Sequence, residues 1–245
     1  MKPASVALFL VLACLGAQAR SQSGGGLIEE SLRRHAQPAD VYQEQAMVLS
    51  DRMGQRTVRT MRYYAQRDED ASRNLLVIET PSESKGTAIL ISRGARGGSR
   101  RGPAASSPVF GSNFSVADLE GEQPRDFRYE RDDNQDVDLV PHYVVRAFPV
   151  DESASRNTGY HERKIYLRKD NLFVSRIDYH DREGHLTKRQ TFRDPRPDES
   201  GAWRADMILM EDLRDGRRTL LKIERRVHSS DYVPAAVFAG LPALP

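Results

Sequence analysis

Residues 110–119, Phe110-Gly111-Ser112-Asn113-Phe114-Ser115-Val116-Ala117-Asp118-Leu119, stand mid-chain and decide how the segments on either side are read. Phe-Gly-Ser-Asn is turn-prone, because Gly takes positive φ without a clash and Ser and Asn bond back to their own backbone. Ser115 followed three residues later by Asp118 forms a capping-box pair, so a short helical turn is expected after Ser115. An Arg/Gly/Ser-rich loop precedes the stretch, and alternating apolar and polar segments follow it. The stretch therefore reads as a join between two halves of a sheet.

Working outward, the period is two almost everywhere. Tyr42, Glu44, Ala46 and Val48 alternate with Gln43, Gln45, Met47 and Leu49. Asp51-Arg52-Met53-Gly54-Gln55 is a hairpin turn into Arg56–Gln66. Asn74–Glu79 is apolar on both faces and is expected to be central. Gly86–Ile91 is the next strand. Beyond the join come Asp126–Arg131, Leu139–Phe148, Tyr160–Arg168, Leu172–His180, His185–Arg193, Trp203–Asp212 and Arg217–His228. Asp181-Arg182-Glu183-Gly184 and Asp215-Gly216 supply hairpin turns. The expected fold class is mainly β: about ten antiparallel strands in up-and-down order. Leu27–His35 has helical apolar spacing and ends before Pro38, and the apolar tail Ala235–Leu241 is expected to tuck back on the sheet.

The N-terminus carries an export pattern. Lys2 is followed by apolar Ala4–Leu15 and by Ala17-Gln18-Ala19, a small-x-small cleavage site. Val11-Leu12-Ala13-Cys14 offers a second route, lipoprotein processing at Cys14. The chain divides into a signal peptide (1–19), a linker with the N-terminal helix (20–40) and one β domain (41–245), and a periplasmic location is expected. Cys14 is the only cysteine among 245 residues, so cleavage after Ala19 leaves no disulfide. A formal net charge of +2 argues against a general nucleic-acid binder. The basic loop from Arg93 to Ser107 can touch anionic headgroups or stay solvated.

No catalytic set has the required spacing. His161-Glu162 opens a zinc-protease-like pattern, but Ile165 stands where the second His belongs. His180, His185 and Asp178 flank a hairpin without a third ligand spacing that suits zinc. No Gly-x-Ser-x-Gly and no P-loop is present. No enzyme activity, cofactor or metal is expected. A large sheet with one apolar face either fills itself or curls around a cavity. The side chains expected to line such a cavity are Tyr64, Ile78, Leu90, Phe114, Tyr143, Phe173 and Tyr179.

Five stretches in order resemble the outer-membrane lipoprotein-sorting protein family, relatives of the LolA/LolB carriers. They are Leu49–Arg56, Ile78–Leu90, the 110–119 stretch, Tyr179–Lys188, and Met210–Asp212 through Arg218-Thr219. The resemblance implies a half-open antiparallel β-barrel around an apolar cavity, with Leu27–His35 and Ser115–Leu119 as a lid. It implies a periplasmic, monomeric carrier of an acyl chain, lipid or lipoprotein bound for the outer membrane, served by an inner-membrane transporter. The alternative is a non-enzymatic accessory protein of an envelope (RND-type) transporter. Two departures stand out. The short Arg/Gly/Ser loop replaces a Trp/Tyr-Leu-Pro strand, so a strand is expected to be missing. Asn113 replaces the usual acidic residue of Gly-Ser-Asp.

Overall fold

A computed structural model describes residues 23–69, 71–94, 100–151 and 160–239. The expected signal segment, Cys14 and part of the basic loop lie outside the described residues. Helix α1 (Gly24–Arg34) leads into β1 (Asp40–Ser50), β2 (Arg56–Arg67), β3 (Ala71–Thr80), β4 (Ala88–Gly94) and β5 (Arg100–Arg101). Helix α2 (Val116–Glu120) is followed by β6 (Phe127–Val137), β7 (Val140–Pro149), β8 (Glu162–Arg168), β9 (Val174–His180) and β10 (Leu186–Arg193). A two-residue ribbon, β11 (Arg196–Pro197) and β12 (Trp203–Arg204), precedes β13 (Met207–Asp212) and β14 (Arg218–Val227).

Twelve strands form one antiparallel sheet, ordered β5-β4-β3-β2-β1-β14-β13-β10-β9-β8-β7-β6. The sheet is not closed, and the fold is a half-open barrel with two helices. The strand order explains the join. Strands β5 and β6 are opposite edges, so residues 102–126 must carry the chain across the open side.

The expected class holds, with twelve strands where about ten were expected. Four expectations are corrected. The basic loop holds a strand after all, since Arg100 and Arg101 pair with Arg93 and Ser92; two arginines carry no hydrophobic period. Strand β6 runs to Val137 across charged residues, which suit it because it is an edge paired only with β7. The expected strand from Trp203 breaks after Arg204. Strand β3 is buried on both faces without being central. Leu75 and Leu76 are each 2% exposed, yet β3 lies third from the β5 edge. The C-terminal segment covers its outer side. Val233 is buried there, Tyr232 stacks on Tyr42 at 5.6 Å, and Phe238 lies beneath Arg73 at 5.8 Å.

Two cores share the concave side. The first gathers Met47, Met61, Leu76, Met210 and Leu221 around Val109, Phe114 and Val116 of the crossover. The second sets Leu27 and Ile28 of α1 on Val145, Ala147, Ile165 and Leu167. Ile177 touches both. Helix α1 starts at Ser23, whose hydroxyl accepts the Gly26 amide at 3.0 Å, and ends with Arg33 and Arg34 at the negative end of its dipole. Its first turn presses on β6: a Cβ on Gly24 would stand 2.8 Å from the Glu130 carbonyl carbon, while one on Gly25 would meet nothing within 4 Å. Gly24→Ala is therefore expected to cost about 1–3 kcal/mol by overpacking. Gly25→Ala is the control and should hold the melting temperature or raise it slightly, since Ala favours the helix over Gly. Equal melting curves for the two would show that the helix start is not seated on β6.

Candidate ligand cavity

The crossover is pinned to the concave face by polar contacts before apolar packing completes it. Phe110 and Gly111 take φ of 48° and 73°, which turns the chain inward. The Asn113 amide N–H donates to Thr219 Oγ1 at 3.1 Å, and that hydroxyl donates to Asn113 Oδ1 at 2.9 Å. Asn113 Nδ2 donates to the Arg217 carbonyl at 3.4 Å, and Lys188 Nζ donates to the Asn113 carbonyl at 3.0 Å. Asn113 thus both donates and accepts through its side chain; an aspartate there would lose the bond to Arg217. Thr219 is 0% exposed. Thr219→Val keeps the shape and strands Asn113, so a loss of about 1–3 kcal/mol is expected in urea unfolding. No loss would mean that the pinning bonds are already made by water.

The capping box follows directly. Ser115 Oγ accepts the Asp118 amide at 3.3 Å, and the Ser115 amide donates to Asp118 Oδ2 at 2.7 Å. Tyr160 OH donates to the same carboxylate oxygen at 3.3 Å, and its ring stacks 4.4 Å from Tyr179. Beyond α2, arginines tie the crossover to the sheet. Arg100 meets Glu120 at 2.8 Å, and Arg163 meets Glu122 at 2.9 Å while lying 3.8 Å over the Phe127 ring. The Tyr129 hydroxyl donates to Glu122. Burial, and then the Glu122 charge, push the Tyr129 phenol well up. Burial also pushes Tyr63 up to about 12.

At the other end, the last turn of α1 is clamped to the β11–β12 ribbon. The Trp203 amide donates to His35 Nδ1 at 3.1 Å, and His35 Nε2 lies 3.1 Å from the Asn171 carbonyl. Arg204 donates to the carbonyls of His35 and Ala36 at 2.7 and 2.6 Å. These bonds divert Trp203 from the main sheet, which is why the expected strand breaks there.

Between α1, the crossover and the concave face lies a cavity of about 410 Å³. Leu76, Phe114, Ile177, Phe192, Ile208 and Ile223 give it an apolar wall, and Trp203 and His35 border it. Of the seven residues singled out from sequence, Phe114, Phe173 and Tyr179 stand in this wall. Ile78 is buried at 2% exposure on the strand face of Leu76, outside the wall. Tyr64 stacks on Tyr42 at 5.3 Å, in the register set opposite to the cavity-lining Tyr63. Leu90 pairs with Leu75, on the face opposite Ile89 and Ile91. Tyr143 packs against the second core beneath Arg131 at 4.4 Å and Lys169 at 5.4 Å. Sequence reasoning passed over Gln43, Gln45, Gln190 and Arg163, all of which border the cavity. Strand parity was the available signal, since Gln43 and Gln45 share a face with Met47.

The sequence's metal candidates do not converge. Asp178 is held by Arg176 and Arg189, and His185 leans on Asp181 at 3.5 Å. No group of three His, Cys, Asp or Glu suited to a metal occurs among the described residues. No helix among them is long and apolar enough to cross a membrane.

A family model described as "Uncharacterized protein" matches residues 70–239. No curated protein matches the chain. Three solved structures share its fold. An outer membrane lipoprotein-sorting protein domain from Vibrio parahaemolyticus is 21% identical, with a TM-score of 0.75 over 85% of this chain and 95% of that one. A DUF1329 family protein from Desulfovibrio piger is 18% identical, with a TM-score of 0.71 over 87% and 98%. A LolA superfamily protein from Nitrosomonas europaea is 15% identical, with a TM-score of 0.65 over 83% and 92%.

Proposed function

The chain belongs to the family of uncharacterized proteins matched over residues 70–239, and from that membership and its LolA-like fold we propose that it is a periplasmic, non-enzymatic carrier. Its cargo is an acyl chain of a lipid or lipoprotein, held in the cavity on the way to the outer membrane. The observation that carries this reading is the unfilled space of about 410 Å³ between two packed cores. That volume falls in the ~300–1,000 Å³ range of small-molecule sites. An interaction module would fill the concave side and present a flat patch. Each methylene buried there contributes about 0.8 kcal/mol, so an apolar cup holds a chain without chemistry. The lipoprotein-sorting name of the Vibrio domain points to the same cargo class.

Native mass spectrometry of the protein from a periplasmic extract, with lipids extracted in parallel, tests the reading. An acyl species at near-unit stoichiometry is expected. An apo mass, together with no uptake of a fluorescent fatty acid, would sink it and favour a transporter-accessory role. Ile177→Trp places an indole where the two cores meet the cavity. It is expected to weaken fatty-acid uptake by at least about tenfold while the sheet stays folded. Unchanged uptake would place the ligand elsewhere.

A further inference from the structure

Among the polar side chains that border the cavity is a buried amide pair that packing does not explain. Gln43 and Gln45 sit two residues apart on the inward face of β1 and are 8% and 5% exposed. Their neighbours in the ladder are Tyr63 and Met61 on β2, and on β14 Arg226 beside Gln43 and Ile223 beside Gln45. They share one bond, Gln45 Nε2 to Gln43 Oε1 at 2.6 Å. Gln45 Oε1 is buried without a partner. The Gln43 amino group makes no hydrogen bond among the described residues. Two primary amides joined by one bond always leave an acceptor on one and a donor on the other. Turning both amides over leaves the same two open valences. An unmet polar atom in such a place costs about 1–3 kcal/mol, a cost that a cargo group reaching the pair would relieve.

Gln190 repeats the pattern across the floor. It is 5% exposed, and its Oε1 accepts from Tyr179 OH at 2.6 Å. Its amino group makes no hydrogen bond among the described residues. A plain hydrocarbon chain answers none of these groups. An ester offers acceptors alone. A hydroxyl or a secondary amide offers a donor and an acceptor together, which is the complement of the Gln43–Gln45 pair.

We infer that the cavity selects an acyl chain carrying a donor–acceptor group, a hydroxyl or a secondary amide, which bonds to Gln43 and Gln45. This rests on the carrier reading above and adds the chemistry of its cargo. Displacement of a fluorescent fatty acid from the protein by hexadecanoate, a hydroxyhexadecanoate and N-hexadecanoylglycine is the test. The hydroxylated chain, the amide-linked chain or both are expected to bind roughly tenfold tighter than hexadecanoate, the equivalent of about 1.4 kcal/mol. Which of the two gains tells a hydroxyacyl from an N-acyl source. Gln45→Met and the double variant Gln43→Met/Gln45→Met are expected to erase the preference and to strengthen hexadecanoate binding. Equal affinities in the wild type would overturn the inference and leave the carrier reading standing. A preference that survives in both variants would overturn the role of the amide pair. Failure of all three chains to displace the probe, with no probe bound, would overturn the carrier reading and this inference with it.

Discussion

Phe114→Ala is expected to lower the unfolding free energy by about 3–5 kcal/mol, the range for truncating a buried aromatic. Phe114 is 1% exposed, lies in the first core with Met47, Met61 and Met210, and borders the cavity. That last fact sets the size of the effect. The cost of a large-to-small change depends on how far the site collapses onto the void. Here the void opens into space of about 410 Å³ that is already unfilled, so few atoms can relax inward. The bonds from Asn113 to Thr219 hold the backbone where it is and oppose collapse further. Urea unfolding followed by far-ultraviolet circular dichroism measures the loss. Phe114→Leu should cost much less, because it keeps most of the buried volume. A loss under about 1 kcal/mol for the alanine variant would show the crossover to be a loose strap rather than part of the core.

Much of this architecture was legible because it is local. The Asp51–Gln55 and Asp181–Gly184 turns place Gly54 and Gly184 at φ of 81° and 83°, as period-two strands joined by Asp/Gly turns require. The Ser115–Asp118 capping box is complete within four residues and could be read directly. What could not be read is long-range. Nothing in residues 110–119 states that they join opposite edges of a sheet, because that follows from β1 pairing with β14. Tyr64 and Leu90 look as apolar as Tyr63 and Ile91, and parity alone does not say which face is concave. Gln43 and Gln45 share a face with Met47, but because a buried amide is the rarer case that parity alone does not mark them as cavity residues. His35 and Trp203, 168 residues apart, meet only in the fold.

That last meeting shares in the second large effect: acid is expected to weaken the protein in two stages, the first of them through His35 and the other buried histidines. With Nδ1 accepting from the Trp203 amide and Nε2 facing the Asn171 carbonyl, His35 fits as the neutral ring protonated on Nε2. Burial pulls its pKa down. The Asn171 bond opposes this, Arg204 and Arg34 add to it, and Asp198 opposes it. His142 is likewise buried between the Val140 carbonyl at 2.6 Å and Ser175 at 2.7 Å, and burial lowers it; burial also lowers His180 and His228. A histidine whose folded pKa lies below its unfolded value binds more protons when unfolded, so stability falls as pH drops through about 6.5 and levels off below the folded pKa. The carboxylates act lower. Burial would raise Asp178, but bonds from Arg176 and Arg189 more than offset it; Arg146 holds Glu162 down. Their contribution is present above about pH 4 and is lost as pH falls through the folded values. Urea midpoints from about pH 8 to pH 3 should therefore show one decline beginning near 6.5 and a steeper one beginning near 4. A flat midpoint between about pH 7 and 5 would mean that the histidines are not held neutral. His35→Gln keeps one acceptor and one donor but cannot titrate, so part of the first decline should vanish. Because His35 and Trp203 both border the cavity, protonation of His35 acts on its wall in the same pH window in which His142 on β7 and His180 on β9 load the sheet. Amide exchange at Trp203 and in the last turn of α1 should rise at about pH 5 while β1 stays protected, and His35→Gln should abolish that difference.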